Sequence, residues 1–570
     1  MNNCKNTNSA LLLALLFVFQ TAIAQSGRIP APAKNGMVVS SHYLGSEAGT
    51  AMLKKGGNAV DAAVATAFAL AVTLPSAGNL GGGGFLVYHG ADGQNTCFNF
   101  REKAPLKSTE NMFMDENGNA AYNHQGPLSV GVPGTVAGLW AAHQKFGKLP
   151  WSELLQPAID LAENGMPSTW DMQRFLKRVQ EETDPIYEAT RKAFLKNGTD
   201  MYAPGELWKQ PDLAATLKRI QQDGRDGFYK GETARLIAGF MKKHGGLITK
   251  KDLAKYEAIE QKPIHGTYRG YDVYGMSPPS SGGVAIVEML NILEGYDLQK
   301  IGHNSALYLH LLTEAMRTAF ADRAEYLGDP AFNPDMPLER LTSKAYADEI
   351  RPTIDWFKKT ESDSSLFNKA RFAYESEETT HFSVVDAEGN AVSLTYTLEY
   401  SYGSRITVEG AGFLLNNEMG DFNPVPGVTN RRGQIGTKPN LVAPEKRMLS
   451  SMSPTILAKD GKPVLVIGSP GGRTIINTVL QVILNVVDHE MNIGQAIEAG
   501  RIHHQWLPDI TFFEKYNISP DTQKLYEMMG HGVRFRRAQG SAMGIFIDQE
   551  TGMIYGAADS RAFDGGAVGY

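Results

Sequence analysis

Residues 379–397 read T-T-H-F-S-V-V-D-A-E-G-N-A-V-S-L-T-Y-T, two alternating runs rich in β-branched and aromatic residues on either side of Glu388-Gly389-Asn390. This pattern specifies an antiparallel hairpin. With Asp386 facing Ala391 across the turn, the pairing carries Thr379 to within about one position of Thr397, roughly 5 Å away at the backbone. Two hydroxyls then meet at a strand end. A threonine whose own α-amine becomes free can act as nucleophile with that amine as its built-in base, so the chain is expected to cut itself before Thr379. Taken alone, Thr-Thr is also ordinary strand material.

Composition narrows the partners. A net charge of -6, a pI near 6.1 and 20% charged residues leave no basic stripe of the kind that nucleic acid requires. The length of 570 residues allows three or four domains of about 150 residues, or one large α/β unit. The 59 glycines sit in tight clusters, which points to pockets built from backbone. An apolar stretch from Ala10 to Phe19, followed by Ala22-Ile23-Ala24, fits a signal peptide over 1–24, so the mature chain is expected to be exported, periplasmic or secreted. Cys4 precedes the apolar core and does not read as a lipid anchor. Loss of the signal leaves Cys97 and no intramolecular disulfide. No membrane span is expected, because even Ala59 to Leu74 is interrupted by Asp61 and threonines.

Helical periodicity predicts helices over Gly45–Leu53, Ala59–Val72, Thr135–Phe146, Ser305–Tyr326 and Thr474–Val487. Strands are predicted over 84–88, 381–386, 391–397, 454–458, 463–468, 543–548 and 553–557. The polar stretch Lys358 to Glu378 has little to bury and reads as a surface segment ending against Thr379, a natural place for a chain break. In G-S-P-G-G-R-T (468–474), Gly471 and Gly472 lie between an apolar strand and a helix, where backbone N–H groups and a helix N-terminus can stabilise an oxyanion. The phosphate-loop order is absent.

Further motifs are L-L-N-N-E-M-G-D-F (414–422), K-R-M-L-S-S-M-S-P-T (446–455), N-A-V-D-A-A-V-A-T-A-F-A-L (58–70), N-L-G-G-G-G-F (79–85), F-R-E-K-A-P (100–105), G-V-P-G (131–134), P-P-S-S-G-G (278–283) and A-D-R-A-E-Y-L-G-D-P (321–330). Taken together and in this order, with Thr379 and Thr397, they make the chain resemble the γ-glutamyltranspeptidases of the N-terminal-nucleophile hydrolase superfamily. That resemblance spans essentially the whole mature chain. It implies an α+β fold, a four-layer αββα sandwich formed jointly by a large subunit (25–378) and a small subunit (379–570) after cleavage between Glu378 and Thr379.

It also implies roles. Thr379 becomes the nucleophile, with Thr397 bonded to its hydroxyl or amine and Gly471 and Gly472 as oxyanion donors. A γ-glutamyl group carries an α-carboxylate and an α-ammonium, and both must be matched when desolvated. Arg101 then forks onto the carboxylate, a geometry guanidinium suits better than ammonium, and Ser450 and Ser451 contact it. Glu418 and Asp421 hold the ammonium, with Glu399 beside them. The implied partners are glutathione and other γ-glutamyl compounds as donors, with water, amino acids or dipeptides as acceptors. No metal or organic cofactor is implied.

Departures from the family pattern are visible. Glu399 stands where many members have Asn, and Glu418 replaces the Gln of some bacterial members. Gly420 stands where an Asp commonly precedes the binding Asp, so that loop is expected to be more mobile. Residues 423–445 resemble a lid, with Arg431-Arg432 where certain lids carry a gating Tyr. His503-His504 lacks a third ligand of metal-site form. Gly81 to Gly84 reads as close backbone packing near the active site. Two alternatives remain: a glutaryl or cephalosporin acylase of the same superfamily, whose substrate lacks the ammonium, and an exported binding homologue that never processes. The acids Glu399, Glu418 and Asp421 argue against the first.

Overall fold

The central hairpin forms between strands Thr380–Val385 and Ala391–Thr397, with Val385 opposite Ala391 and Thr380 opposite Tyr396. The structure is a computed structural model that describes residues 29–116, 123–362, 379–423 and 438–570. The register differs by one from the spacing argument. Residues 386–390 form the turn, closed by Asp386 N donating to Asn390 O at 3.1 Å. One Asp386 oxygen accepts from Glu388 N and Asn390 N, both at 2.9 Å. The other accepts from Ala59 N at 2.8 Å, tying the turn to the start of a helix. Continued by one residue, this register sets Thr379 directly opposite Thr397 rather than one position away.

The hairpin is the middle of a seven-stranded sheet in the order Gly566–Gly569, Met37–Ser40, Thr380–Val385, Ala391–Thr397, Gly83–His89, Asn95–Phe100, Ile259–Gln261. A second seven-stranded sheet runs Ala31–Ala33, Ile554–Ala558, Met543–Ile547, Lys462–Gly468, Thr455–Lys459, Tyr271–Gly275, Ile264–Tyr268. All neighbours in both sheets are antiparallel.

Alternation along the hairpin separates two layers of contact. Phe382, Val384, Val392, Leu394 and Tyr396 pack on the helices Ala59–Thr73, Thr135–Phe146 and Trp151–Asn164. The intervening residues face the second sheet: Ser383 Oγ donates to Met543 O at 2.9 Å and Ser393 Oγ to Ile467 O at 3.0 Å. That sheet is covered in turn by Gly282–Leu293, Ala306–Tyr326 and Thr474–Val487. The result is the αββα sandwich. The helix Ala59–Thr73 is buried along its whole length, and a capping box between Asn58 and Asp61 satisfies its first donors. Emptying this interior is costly, about 3–5 kcal/mol for Phe382→Ala.

Helix prediction succeeded where periodicity was strong, and Thr135–Phe146 and Thr474–Val487 form with the expected bounds. Among the described residues no helix is long and apolar enough to cross a membrane. Cys97 is buried and free, and burial pushes its thiol up to about 12. The signal segment lies outside the described residues, as do Glu378, most of the polar stretch before Thr379, and Arg431-Arg432.

Candidate active site

Thr379 is buried at the start of the central strand. Two residues on, the His381 ring lies where a side chain at Gly468 would be; a Cβ there would meet ring atoms at 2.3 Å. Gly468 ends the strand that leads into G-S-P-G-G, so this contact sets the glycine loop against the hairpin end. Gly471 has φ 134 and Gly472 φ 55, both in the left-handed region, and the helix Thr474–Val487 begins two residues later. Thr474 N and Oγ1 both donate to Gly471 O, at 3.0 and 2.7 Å, which turns that carbonyl into the helix.

His381 itself is satisfied. Ser383 Oγ donates to Met543 O, so it accepts from His381 Nε2 at 3.1 Å, and His381 Nδ1 accepts from Thr395 Oγ1 at 2.8 Å. Burial pushes its pKa down to about 3. The nearest imidazole to Thr379 in sequence is therefore neutral, with both nitrogens engaged, and is no general base.

At the far strand end, Thr397 Oγ1 accepts from Glu399 N at 2.9 Å, while Thr397 O accepts from Asn79 Nδ2 at 2.9 Å. Asn79 Oδ1 accepts in turn from Gly82 N and Thr135 Oγ1. The glycine run is close-packed: a Cβ on Gly82 would meet Thr397 O at 2.0 Å. Asn416 Nδ2 donates to Gly81 O and Gly131 O at 2.7 and 2.9 Å, and its Oδ1 accepts from Glu418 N at 3.0 Å. Asn417 N donates to Leu398 O and its Oδ1 accepts from Tyr400 N, both at 3.0 Å, so Asn79, Asn416 and Asn417 hold the acids against the strand end. They lie within the motifs, but their spacing carries no signal for that role.

Arg101 is almost completely buried. Its guanidinium bonds to both Glu418 and Asp421, and its Nε and NH2 donate to Met448 O and Leu449 O at 3.3 Å. The expected carboxylate and ammonium binders are thus one ion cluster. Burial opposes the charge on Arg101, and Glu418, Asp421 and Glu102 more than restore it. Ser450 follows Leu449 directly; its carbonyl accepts from Ser281 N and Oγ at 2.8 and 2.7 Å. Arg323 reaches Ser281 Oγ at 2.8 Å and Ser451 Oγ at 3.0 Å. P-P-S-S-G-G and A-D-R-A-E-Y-L-G-D-P thereby form the backing of the serine pair.

The loop around Gly420 corrects an expectation. It is a 3-10 turn, Glu418–Asp421, with Glu418, Met419 and Gly420 buried, rather than a looser loop. A Cβ at Gly420 would stand 2.3 Å from the His124 ring. That ring stacks on Tyr400, centroids 4.7 Å apart, and its Nε2 lies 3.5 Å from Glu399 Oε1. Asn123 Nδ2 donates to Gly420 O at 3.0 Å. Glycine here makes room for a packed ring. The base of the expected lid is also pinned, with Asn440 Nδ2 donating to Asp421 O at 2.7 Å and Asn423 N to Asn440 O at 3.1 Å.

His503 and His504 are engaged in hydrogen bonds: His503 with Asn477 and Gln505, and His504 with Asp509. His310, Glu314 and His531 bring ligand-type atoms within 4.8 Å of one another, but the two imidazoles are hydrogen-bonded at 2.7 Å and His310 also bonds Asp355 O.

The family profile described as Gamma-glutamyltranspeptidase matches residues 45–570. The chain belongs to this family. It is 48% identical over 543 residues to a glutathione hydrolase proenzyme of Escherichia coli K12, covering 95% of this chain and 93% of that one. A glutathione hydrolase proenzyme of Pseudomonas sp. strain A14 is 42% identical over 582 residues, covering 99% of both. Among solved structures, a cephalosporin acylase from Bacillus halodurans superposes with a TM-score of 0.82 at 28% identity, covering 97% of this chain and 98% of that one. The transpeptidase family and the acylases thus share the N-terminal-nucleophile sandwich seen here.

Proposed function

We propose that the chain is an autoprocessing γ-glutamyltransferase and glutathione hydrolase. The observation that carries this reading is the hairpin register, which sets Thr379 opposite Thr397 in a chain whose family profile covers 45–570.

In the first step Thr379 Oγ1 attacks the carbonyl carbon of Glu378. The Glu378–Thr379 peptide bond breaks as an ester forms, and water hydrolyses the ester to give the Glu378 carboxyl and a free Thr379 amine. In the second, that amine accepts the hydroxyl proton, directly or through water, while Oγ1 attacks the γ-carbonyl of the donor. Gly471 and Gly472 amides serve the tetrahedral oxyanion, a role worth about 3–4 kcal/mol per donor in comparable sites. The leaving amine takes the proton, and the γ-glutamyl group passes from the ester to water or to an amino acid or dipeptide.

Donor recognition divides the ion cluster. The α-carboxylate takes Arg101 with Ser450 and Ser451, and the α-ammonium takes Asp421, Glu418 and Glu399, so the bonds within the cluster are exchanged for bonds to the donor. A glutaryl group has no ammonium and would face these acids uncompensated, which favours the γ-glutamyl reading over an acylase. Export to the periplasm or medium, and the pairing of residues 25–378 with 379–570 as a heterodimer, belong to the same reading. The test is expression of the chain, a denaturing gel and N-terminal sequencing of the small fragment, with hydrolysis of γ-glutamyl-p-nitroanilide measured alongside. A fragment starting Thr-Thr-His-Phe-Ser and active on that donor supports it; an uncut, inactive folded chain overturns it.

A further inference from the structure

Glu102 follows the binding arginine in F-R-E-K-A-P and has no role in the reaction as described. Its side chain is fully buried, and Arg101 lies 3.8 Å away. Neither of its oxygens, nor Oε2 of Glu418, has a hydrogen-bond partner of standard geometry among the described residues. Glu418 is as deeply buried as Arg101. One guanidinium thus faces three carboxyls, Glu102, Glu418 and Asp421, of which only Asp421 reaches solvent, at 34% side-chain exposure. With all three ionised the cluster would hold two uncompensated negative charges, with two of the three carboxyls closed to water. Buried like charges resolve this by keeping a proton.

The remaining neighbours do not supply the missing charge. Tyr256 donates its hydroxyl to Arg101 O at 2.8 Å and Tyr229 donates to Pro133 O at 2.9 Å. Burial raises both phenols, so they stay neutral. Lys103 and Arg447 lie over the Tyr256 ring, 5.9 and 5.8 Å from its centre. Asp421 keeps its solvent contact and its bond to Arg101, so the charge conflict falls on the two buried glutamates.

We infer that Glu102 is a positioning residue that shares a single proton with Glu418, so that the pair carries one negative charge, held on Glu102, while Glu418 presents to the donor as a neutral hydrogen-bonding group. The shared proton gives a partner to two of the three orphaned oxygens, one on each glutamate. Burial pushes Glu102 up to about 7 against the pull of Arg101, and pushes Glu418 well above the carboxylate range. The consequence for binding rests on the proposed function: while the pair holds its proton, a donor α-carboxylate competes with one full negative charge fewer for Arg101. As pH rises through the pair's titration, the second charge appears and KM for the donor rises.

The test is infrared difference spectroscopy of the processed enzyme between pH 6 and pH 8.5, with KM for γ-glutamyl-p-nitroanilide over the same range. A protonated-carboxyl stretch should be lost across this range in wild type, be absent from both Glu102→Gln and Glu418→Gln, and persist in Asp421→Asn. Burial also raises the Glu288 carboxyl well above its usual range, and a Glu288→Gln control subtracts its contribution. KM should rise several-fold with pH in wild type and stay flat in Glu102→Gln. Should Glu102→Gln fail to process, Glu418→Gln and Asp421→Asn still decide the infrared assignment. Absence of the stretch in wild type, or its survival in both glutamine variants, overturns the inference. A chain that shows the stretch but turns over no γ-glutamyl donor overturns the proposed function and leaves the shared proton standing.

Discussion

His124 occupies the space that a side chain at Gly420 would need, with a Cβ placed 2.3 Å from its ring. Gly420→Ala should therefore displace the ring from Tyr400 and Glu399, at a cost of about 1–3 kcal/mol in stability. Combining it with His124→Ala should recover most of that loss, and a double-mutant cycle by denaturant unfolding reads the coupling. Additive effects would mean that the two positions do not share this space.

Thr379→Ala should leave a folded, uncut chain with no transferase activity. Thr397→Val keeps the shape of the side chain but removes the hydroxyl that accepts from Glu399 N. It should slow both fragment appearance on a gel and donor turnover by about 5- to 30-fold, the equivalent of 1–2 kcal/mol. Unchanged processing in Thr397→Val would remove Thr397 from the mechanism.

Arg101→Lys keeps the charge and loses the fork. The guanidinium serves two carboxyls and two backbone carbonyls at once, which a single ammonium cannot reproduce. Donor KM should rise roughly 10- to 100-fold, the worth of one charge-assisted hydrogen bond. Steady-state kinetics should show the effect mainly in KM; a loss confined to kcat would contradict a binding role.

Gly471→Ala meets two obstacles, a φ of 134 and Thr474 Oγ1 at 2.4 Å from the new Cβ. Moving that amide should lower kcat by about 10²- to 10³-fold with a smaller change in KM. Wild-type turnover in a folded Gly471→Ala variant would exclude this loop as the oxyanion site.

Acid should destabilise the fold through its buried histidines. Burial holds His381 and His503 at about 3 and His504 at about 4, against 6.5 in an open chain. Above pH 6.5 both states are neutral and stability is insensitive to these groups. Below it the unfolded chain takes up protons that the folded one refuses, so each histidine costs about 1.4 kcal/mol per pH unit until its folded pKa is reached. Tm should fall between pH 6.5 and 4.5, and His381→Asn should flatten the slope.

The hairpin, its turn and the helices Thr135–Phe146 and Thr474–Val487 were legible because local periodicity and punctuation encode them. The motif residues Thr379, Thr397, Arg101, Glu418 and Asp421 could be named as candidates from their order and the family resemblance. Three things could not. The one-residue register at Thr379 comes with a turn over 386–390 closed by Asp386 through Glu388 and Asn390, while the other Asp386 oxygen is bonded to Ala59, 327 positions away in the chain. The packing of Gly420 depends on a histidine from another segment, so a residue chosen for its lack of side chain looked like a source of mobility. The crowding of three carboxyls around Arg101 appears only when residues 101–102 and 418–421 meet. Sequence by itself determined the local elements and the inventory of reactive groups, since both follow from short-range pattern. Tertiary structure alone decided which groups share a buried space, and burial is what sets their charge.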